Sequence, residues 1–535
     1  MSAANYIELS KYTKSLLEHV QKQKKPQQPE DSQKVSVSQT ATFFALLYER
    51  IRNAVEYRES SLIRRAAIER ILKRRLSMNA AGRGEAENII RELLWARYFP
   101  NESLSEQDIT HVQHIIDTYL YAKSTMTEGQ TGRIKSLIHS FLLDLLTCEI
   151  EETLSPLEAK TESMYRLFAF QVMKEKIQFE AKSDEDSYAA VYVALEQAFS
   201  KSDRAYLRYH LFLLSQKPLS HLSNHEIAQQ SSRLSQLFEH VDNIINNPYS
   251  PRISRYFKTQ MAPFYILFQI ISDDPDHAES TISDRELLWK ASERVSRQKY
   301  ESSHKRLKTL GLKAIIYIFL TKMILAFILE FPVSQLLFHE VNYFALAVNT
   351  LLPPLIMFLI IAVTHTPSSQ NTLRIYERII GIVNSDMSYE KTIAYRVKPA
   401  RKKRPVLVLA FSIFYLFTFV ATFGLLYEAL LLAQFNIISQ LIFFFFVCMV
   451  TFFGYRVRQT AKEYHVYERE HIMRPLFDFF FMPVLSVGKF LSKNVSKLNF
   501  LTVIFDFIIE APFKLLVEVV EEWVKFVRQK REEIV

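Results

Sequence analysis

Four long apolar runs in the second half of the chain constrain its fold more than any other feature. They occupy residues 314–337, 344–364, 406–432 and 435–455. A helix needs about 20 residues to cross the ~30 Å hydrocarbon core of a bilayer. Buried helices of a large soluble protein are the alternative, but the last two runs are separated by only Ala433–Asn436 when the fourth is counted from Ile437, without its flanks. The pattern therefore predicts four transmembrane helices within residues 311–455.

The distribution of lysine and arginine orients these helices. Both residue types are frequent in 285–313, 365–405 and 456–462, and both are absent from the connections 330–343 and 433–436. Loops rich in lysine and arginine stay in the cytoplasm. We therefore expect a multi-pass protein of the cell membrane with both termini in the cytoplasm. Its basic loop 365–405 is expected to contact anionic lipids of the inner leaflet.

The residue types that carry common chemistries are scarce. The nine glycines form neither GxGxxG nor GxxxxGK, as dinucleotide and P-loop sites require. The two cysteines, Cys148 and Cys448, cannot build a disulfide framework or a cysteine-based zinc site. No GxSxG, HExxH or kinase signature occurs. We expect no enzyme, no cofactor and no metal. Nucleic-acid binding is not expected either, because membrane topology explains much of the +9 net charge.

The part of the chain before the apolar runs has a different pattern. Residues 1–40 are predicted to be largely disordered, because 21–40 are polar and almost free of large apolar side chains. From 41 to 310 apolar residues recur at three- and four-residue spacing, and Ser105 with Asp108 resembles a helix-capping box. Amphipathic helices without strands bury their faces against one another. An all-α cytoplasmic domain is therefore expected, built as a helical bundle or an irregular solenoid.

One helix of this domain, at 61–76, carries an unusual density of positive charge. Such a helix can lie on anionic lipid through its basic face, or it can be a solvated face of a bundle helix. The residues that would form a lipid-facing surface are Arg64, Arg65, Arg70, Lys73 and Arg74.

Polar residues inside the apolar runs are the candidates for a functional site in the membrane. A cation near mid-membrane is costly, so Lys322 is expected either to find a partner on another helix or to extend its ammonium to the interface. Eight residues separate it from Glu330, about 12 Å along a helix, so these two are not expected to pair. Two adjacent prolines are expected to kink or interrupt the second helix. The candidate residues are Lys322, Glu330, Asn349, Pro353, Pro354 and Glu428.

The C-terminal segment 456–535 contains apolar stretches that are too short to cross a membrane securely, 475–487 and 498–511. A fifth and a sixth span are the competing interpretation, which Asp478, Asp506 and the flanking lysines disfavour. We expect amphipathic helices that lie along the inner leaflet. The residues assigned to this interface are Asp506, Glu510, Lys514, Leu516 and Trp523.

Two functional hypotheses follow from this organisation. The first is a membrane-anchored scaffold whose helical cytoplasmic domain binds a protein partner, since that domain is more than half of the chain. The second is a channel or transporter for an ion or small solute that uses the polar residues within the spans. A lipid-modifying enzyme ranks third. Self-association is left open, because a pore would require several copies.

Overall fold

The structure, a computed structural model, describes residues 6–23, 33–37, 42, 62–179, 185–338, 342–364, 367–384, 395–397, 405–461, 463–466, 474–497, 519, 522–523, 526–527 and 530–531. Helices account for most of these residues, and a single pair of three-residue strands is the only sheet among them. The predicted all-α class is confirmed. Within the part of the chain that the structure describes, four helices are long and apolar enough to cross a membrane.

The first part of the chain folds into a helical domain. In chain order its elements are α1 (Lys11–Gln23), α2 (Ile63–Met78), α3 (Glu85–Trp95), α4 (Glu106–Thr127), α5 (Gly132–Leu154), α6 (Pro156–Lys174), strand β1 (Ile177–Phe179), α7 (Glu185–Phe199), α8 (Arg204–Ser215), α9 (Asn224–Ile245), α10 (Ser250–Asp273), α11 (Ala278–Ser283) and the beginning of α12 (Arg285–Leu325). Ser105 and Asp108 form the expected capping box at the start of α4.

Two apolar cores hold this domain together. The first lies mainly among α2, α3, α4, α5, α8 and α9, where Phe141 and Phe238 stack with their ring centroids 4.0 Å apart. The second lies mainly among α1, α6, α7, α10 and α12. Irregular packing of helices of unequal length therefore describes the domain better than a repeating arrangement.

The predicted disorder of residues 1–40 is wrong for part of that segment. Residues 11–23 form helix α1, and Leu16 and Leu17 on it are buried in the second core. Val35 and Val37 are buried in the first core. These few apolar residues were outweighed in the sequence by their polar neighbours, whereas tertiary packing gives each of them a partner surface.

The second part of the chain is a bundle of apolar helices. It contains the end of α12, a π-helix (Ala326–Glu330), α13 (Phe331–Phe338), α14 (Tyr343–Ala362), α16 (Pro405–Leu432), α17 (Ile437–Ala461) and α18 (Arg474–Lys497), while α15 (Ser369–Asn384) and strand β2 (Tyr395–Val397) lie between α14 and α16 in the chain. The 41 residues of α12 make a helix about 60 Å long that runs from the helical domain into the bundle.

Helices α12, α14 and α17 form the centre of the bundle. Two glycines permit their close approach to α14. A Cβ added at Gly311 of α12 would lie 2.3 Å from Cδ1 of Ile361, and one added at Gly454 of α17 would lie 2.4 Å from Cδ1 of Ile360. Helix α14 continues through Pro353 and Pro354, so the predicted interruption does not occur. Helix α16, by contrast, leaves almost all of its apolar side chains exposed.

Helix α18 packs against α17 and α16 in the middle of the bundle. A Cβ at Gly488 would lie 2.2 Å from the carbonyl oxygen of Cys448 on α17, and Tyr415 Oη on α16 donates to Ser486 Oγ at 3.1 Å. Cys448 lies about 20 Å from the end of α17, and Gly488 about 21 Å from the start of α18. The contact therefore lies near the middle of both helices. The interfacial position predicted for 475–487 stays a prediction.

The segment between α14 and α16 belongs to the second core of the helical domain. Ile375 and Ile379 of α15 are fully buried there, and β2 pairs in parallel with β1 through Ile177 and Tyr395. The residues after α17 return to the same place, where Val466 is buried. The loop 365–405, expected to be a basic lipid-facing connection, thus contributes an amphipathic helix and a strand to the domain.

Candidate functional site

The bundle encloses a polar cluster formed by Lys322, Glu330 and Asn349. All three side chains are buried, with exposed fractions of 0%, 1% and 0%. Lys322 Nζ lies 3.4 Å from Glu330 Oε2, and Asn349 Nδ2 donates to Glu330 Oε1 at 2.7 Å. One carboxylate therefore joins a lysine on α12 to an asparagine on α14.

The pairing of Lys322 with Glu330 corrects the expectation that eight residues would hold them apart. The expectation assumed one regular helix. Instead the five residues before α13 form a π-helix, which changes the angular position of every residue that follows it. The long lysine stem spans the remaining distance. A π-turn at a buried ion pair agrees with the frequent occurrence of such turns at functional sites.

Helix α17 supplies two further contacts that the sequence did not reveal. Asn349 Nδ2 also donates to the backbone carbonyl of Ser439 at 3.2 Å, and the Lys322 ammonium lies 4.9 Å from the centroid of the Phe446 ring. A cation over an aromatic face is attracted by the ring quadrupole. The signal for Phe446 was present but ambiguous, since it is one of four consecutive phenylalanines.

The cluster is almost, but not fully, satisfied. Asn349 Oδ1 is buried and accepts no hydrogen bond from any described residue. A small cavity of about 10 Å³ lies beside the cluster, lined by Glu330, Asn342, Asn436 and Ser439 among others. A cavity of this size is at the lower limit for one water molecule.

The other predicted membrane residues do not join the cluster. Pro353 and Pro354 are buried one turn further along α14. Because proline has no N–H, they remove the helical donors that would serve the carbonyls of Asn349 and Thr350. Glu428 is exposed on α16 and makes no contact with the cluster.

The basic helix predicted at 61–76 corresponds to α2, and its arginines form ion pairs with carboxylates of the helical domain. Arg65 is 3% exposed and pairs with Glu69 and Asp203. Arg64 pairs with Glu151 and Glu158.

The remaining charges of α2 behave similarly. Arg74 pairs with the buried Glu92, and Lys73, which is exposed, pairs with Glu69. Arg70 is half-buried on the same helix. This geometry does not favour the predicted lipid contact, because guanidinium groups that are engaged by carboxylates are not free to bind lipid phosphates.

Most residues of the predicted C-terminal membrane interface lie outside the described residues. Asp506, Glu510, Lys514 and Leu516 lie outside the described residues. Trp523 is described and is 63% exposed.

Sequence reasoning missed a second buried polar group, in the helical domain. Arg166 Nε on α6 and His210 Nδ1 on α8 lie 2.9 and 3.0 Å from the same oxygen of Glu196, on α7. Glu196 is completely buried. The signal available was a carboxylate within the apolar stripe of 188–199, a position that requires a partner when it is buried.

The electrostatics of this group are strongly coupled. Burial alone would raise the pKa of Glu196, but the neighbouring His210 and Arg166 outweigh burial and lower that pKa to about 2. Burial lowers the pKa of His210, but Glu196 and Glu152 more than offset burial and raise it. Arg166 and His210 therefore favour the charged form of Glu196, and Glu196 in turn favours the protonated form of His210.

The group lies beside a cleft of about 430 Å³, lined by Arg97, Glu152, Glu162, Arg166, Tyr206 and His210 among others. His210 Nε2 also lies 3.2 Å from Glu152 Oε1. Among the described residues, no set of His, Cys, Asp and Glu side chains is arranged to hold a metal ion. No family model matches the chain, and neither the curated proteins nor the solved structures include a significant match. The geometry alone carries the functional argument.

Proposed function

We propose that the chain is a membrane-anchored scaffold whose helical domain binds a protein partner on the cytoplasmic side. The four apolar helices support an integral membrane location. The excess of lysine and arginine in 285–313 and 456–462 supports the cytoplasmic side for the helical domain.

The observation that carries the proposal is the construction of the helical domain from segments on both sides of the spans. The side chain of Asn371 on α15 donates to Tyr300 Oη at 2.7 Å and to the Tyr464 carbonyl at 2.9 Å, and accepts from Val466 N at 2.8 Å. It thus joins α12, the loop between spans and the segment after α17. Such a joint holds the domain at a fixed position relative to the bundle, as a scaffold requires.

The bundle itself also favours anchoring over conduction. Lys322, Glu330 and Asn349 use their charges and amide on one another. The cavity beside them is too small for a solute larger than water. A buried pair with this geometry specifies how α12, α14 and α17 associate.

Partner binding can be tested by site-specific photo-crosslinking of the full chain in its native membrane. Leu157, Tyr188 and Leu214 are large, exposed apolar residues of the helical domain and suitable positions for the crosslinker. Phe417, exposed on α16, is the matched control that should face lipid. A discrete protein adduct from the domain positions, without one from 417, is expected. Lipid adducts alone at all four positions would contradict the proposal.

Transport is the second candidate, because a buried charge in a membrane helix is by default a functional hypothesis. The water-sized cavity lined by Glu330 and Ser439, both of which Asn349 contacts, favours it, as does the unpaired Asn349 Oδ1 among the described residues. Proton, sodium and potassium flux into proteoliposomes, measured with ion-sensitive dyes, distinguishes a transporter from a scaffold. The scaffold predicts the same flux from the wild type, from Lys322→Met and from the exposed control Lys313→Met. Flux that disappears in Lys322→Met and in the double variant Lys322→Met/Glu330→Gln, but not in Lys313→Met, would replace the scaffold by a transporter.

We also infer that α18 enters the bilayer as a fifth helix rather than lying on its surface. Its contacts at Gly488 and Ser486 reach the middle of α17 and α16. Its 24 residues make a helix of about 36 Å, but its apolar part is the 12 residues Phe481–Ser492, so Lys489 and Lys493 would have to extend to the outer interface. A fifth span would also move the C-terminal end from the predicted cytoplasmic side to the outer side.

Single cysteines and a membrane-impermeant external thiol reagent test this position. The end of α18 at Lys497 should be labelled, as should the outer control Gln335, whereas the inner control Ser369 should be protected. Protection of position 497 together with 369 would return α18 to the inner surface.

A further inference from the structure

The cleft of about 430 Å³ in the helical domain has the dimensions of a small-molecule site. Parts of α5, α6 and α8 line it, together with the turn after α3. These elements pack through the cores of the domain, so the cleft lies on rigid helices.

The lining of the cleft is densely charged and carries both signs. Three arginines and four glutamates face it, which are Arg64, Arg97, Arg166, Glu151, Glu152, Glu158 and Glu162. Some are occupied by one another. Arg64 pairs with Glu151 and Glu158 on one wall. Of the other charged residues, some are exposed to solvent and some are buried.

One positive and one negative group at the rim remain without an ion pair among the described residues. Arg97 and Glu162 are exposed, line the cleft and make no ion pair there. Deeper in the cleft, Arg166 and His210 are 5% and 6% exposed. Arg166 Nε and His210 Nδ1 share one Glu196 oxygen, and neither is aligned for a hydrogen bond with it. Buried polar groups of this kind normally have a partner.

The backbone at the rim is unusual in the same place. Arg97 adopts a left-handed conformation, with φ of 55°, two residues after the end of α3. Glycine is the usual residue at such a position, because a side chain is strained there. Lys201, between the lining residues Ser200 and Ser202, has a φ of 54°. Strained residues that border a cleft are typical of ligand sites.

We propose that this cleft binds a small zwitterion, a molecule of amino-acid or dipeptide size that carries both an ammonium and a carboxylate group. A simple anion would meet four glutamates, and a simple cation would meet three arginines. A ligand with both charges can place its carboxylate near Arg97 and its ammonium near Glu162. The proposal goes beyond the scaffold function and is independent of membrane orientation.

Isothermal titration calorimetry on the full chain in detergent micelles tests the proposal. The probes are the twenty L-amino acids, each used singly, and the dipeptide Ala-Ala. For every probe that binds, the N-acetyl form removes the ammonium charge and the C-terminal amide removes the carboxylate. We expect at least one zwitterion to bind with a dissociation constant below 1 mM, and each of its blocked forms to bind at least tenfold more weakly.

Two substitutions connect binding with the cleft. Arg97→Gln and Glu162→Gln should each weaken the same probe about tenfold, because each removes one charged contact. Arg133→Gln and Glu128→Gln are matched controls, exposed on the domain and outside the cleft lining, and should bind like the wild type.

Three results would overturn the proposal. They are no binding by any probe, equal binding of a blocked form, and equal loss of binding in the control variants. None of these results affects the crosslinking or flux measurements, so the scaffold proposal stands or falls separately.

Discussion

The ion pair between Lys322 and Glu330 makes a quantitative prediction about the stability of the bundle. Neither charge is exposed, so water cannot compensate for the loss of its partner. Removing one partner of a buried pair typically costs about 3–5 kcal/mol, because the remaining charge keeps its desolvation penalty. We expect Lys322→Met to destabilise the protein by this amount, since Glu330 would keep only its hydrogen bond from Asn349.

Removal of the other charge, in Glu330→Gln, should destabilise the protein less. In Glu330→Gln the lysine keeps the Phe446 ring at 4.9 Å, and a desolvated cation–π contact contributes up to about 2 kcal/mol. The double variant Lys322→Met/Glu330→Gln should be close to the wild type, because uncharged replacements of a buried pair are often neutral. The two substitutions should therefore be non-additive by at least about 3 kcal/mol, because the double variant avoids the cost of the single Lys322→Met change.

Equilibrium unfolding of the full chain in mixed micelles with increasing SDS measures these differences, with tryptophan fluorescence as the signal. Lys313→Met, an exposed lysine earlier on α12, is the matched control and should have little effect. The reasoning is refuted if both single variants cost less than about 1 kcal/mol and the double variant equals their sum. That outcome would mean that the two charges are hydrated or apart.

Three further perturbations test other parts of the structure. Because the pKa of Glu196 lies at about 2, below its ordinary 4.5, its charge stabilises the fold above pH 4.5, and this contribution is lost as the pH falls toward 2. Glu196→Gln should therefore flatten the acid side of a plot of melting temperature against pH. Gly488→Ala should weaken the packing of α18 on α17, because the added Cβ would clash with the backbone of Cys448. Gly311→Ala should have a smaller effect, because its Cβ meets only a side chain. Thermal unfolding and limited proteolysis of both variants measure the difference. Arg97→Gly should raise the free energy of unfolding by up to about 1 kcal/mol by relieving the left-handed strain, while it weakens zwitterion binding in the calorimetric titration.

Local sequence determined the helices that could cross a membrane. The predicted runs 344–364 and 406–432 correspond to α14 and α16 within two residues at each end. Hydrophobicity and length are properties of consecutive residues, so no knowledge of partners was needed. The same holds for the capping box of Ser105 and Asp108, whose groups are three residues apart.

Sequence reasoning failed where the outcome depended on a distant partner. The arginines of α2 show the same pattern whether they face lipid or carboxylates, and only the position of Asp203 and Glu92 decides between the two. Helix α18 is similar, because its apolar residues fit either a bilayer surface or the side of α17. The contact between Gly488 and Cys448, which are 40 positions apart in the chain, identifies α17 as the helix on which it packs.

The polar cluster shows both levels at once. The sequence alone identified Lys322, Glu330 and Asn349 as costly residues in apolar helices, because the desolvation penalty belongs to each residue separately. Their connection required the π-helix before α13 and the approach of α14, neither of which leaves a periodic signal. The desolvation penalty of a buried charge can be read from the residue and its apolar segment, whereas the partner that offsets the penalty is decided by the tertiary structure.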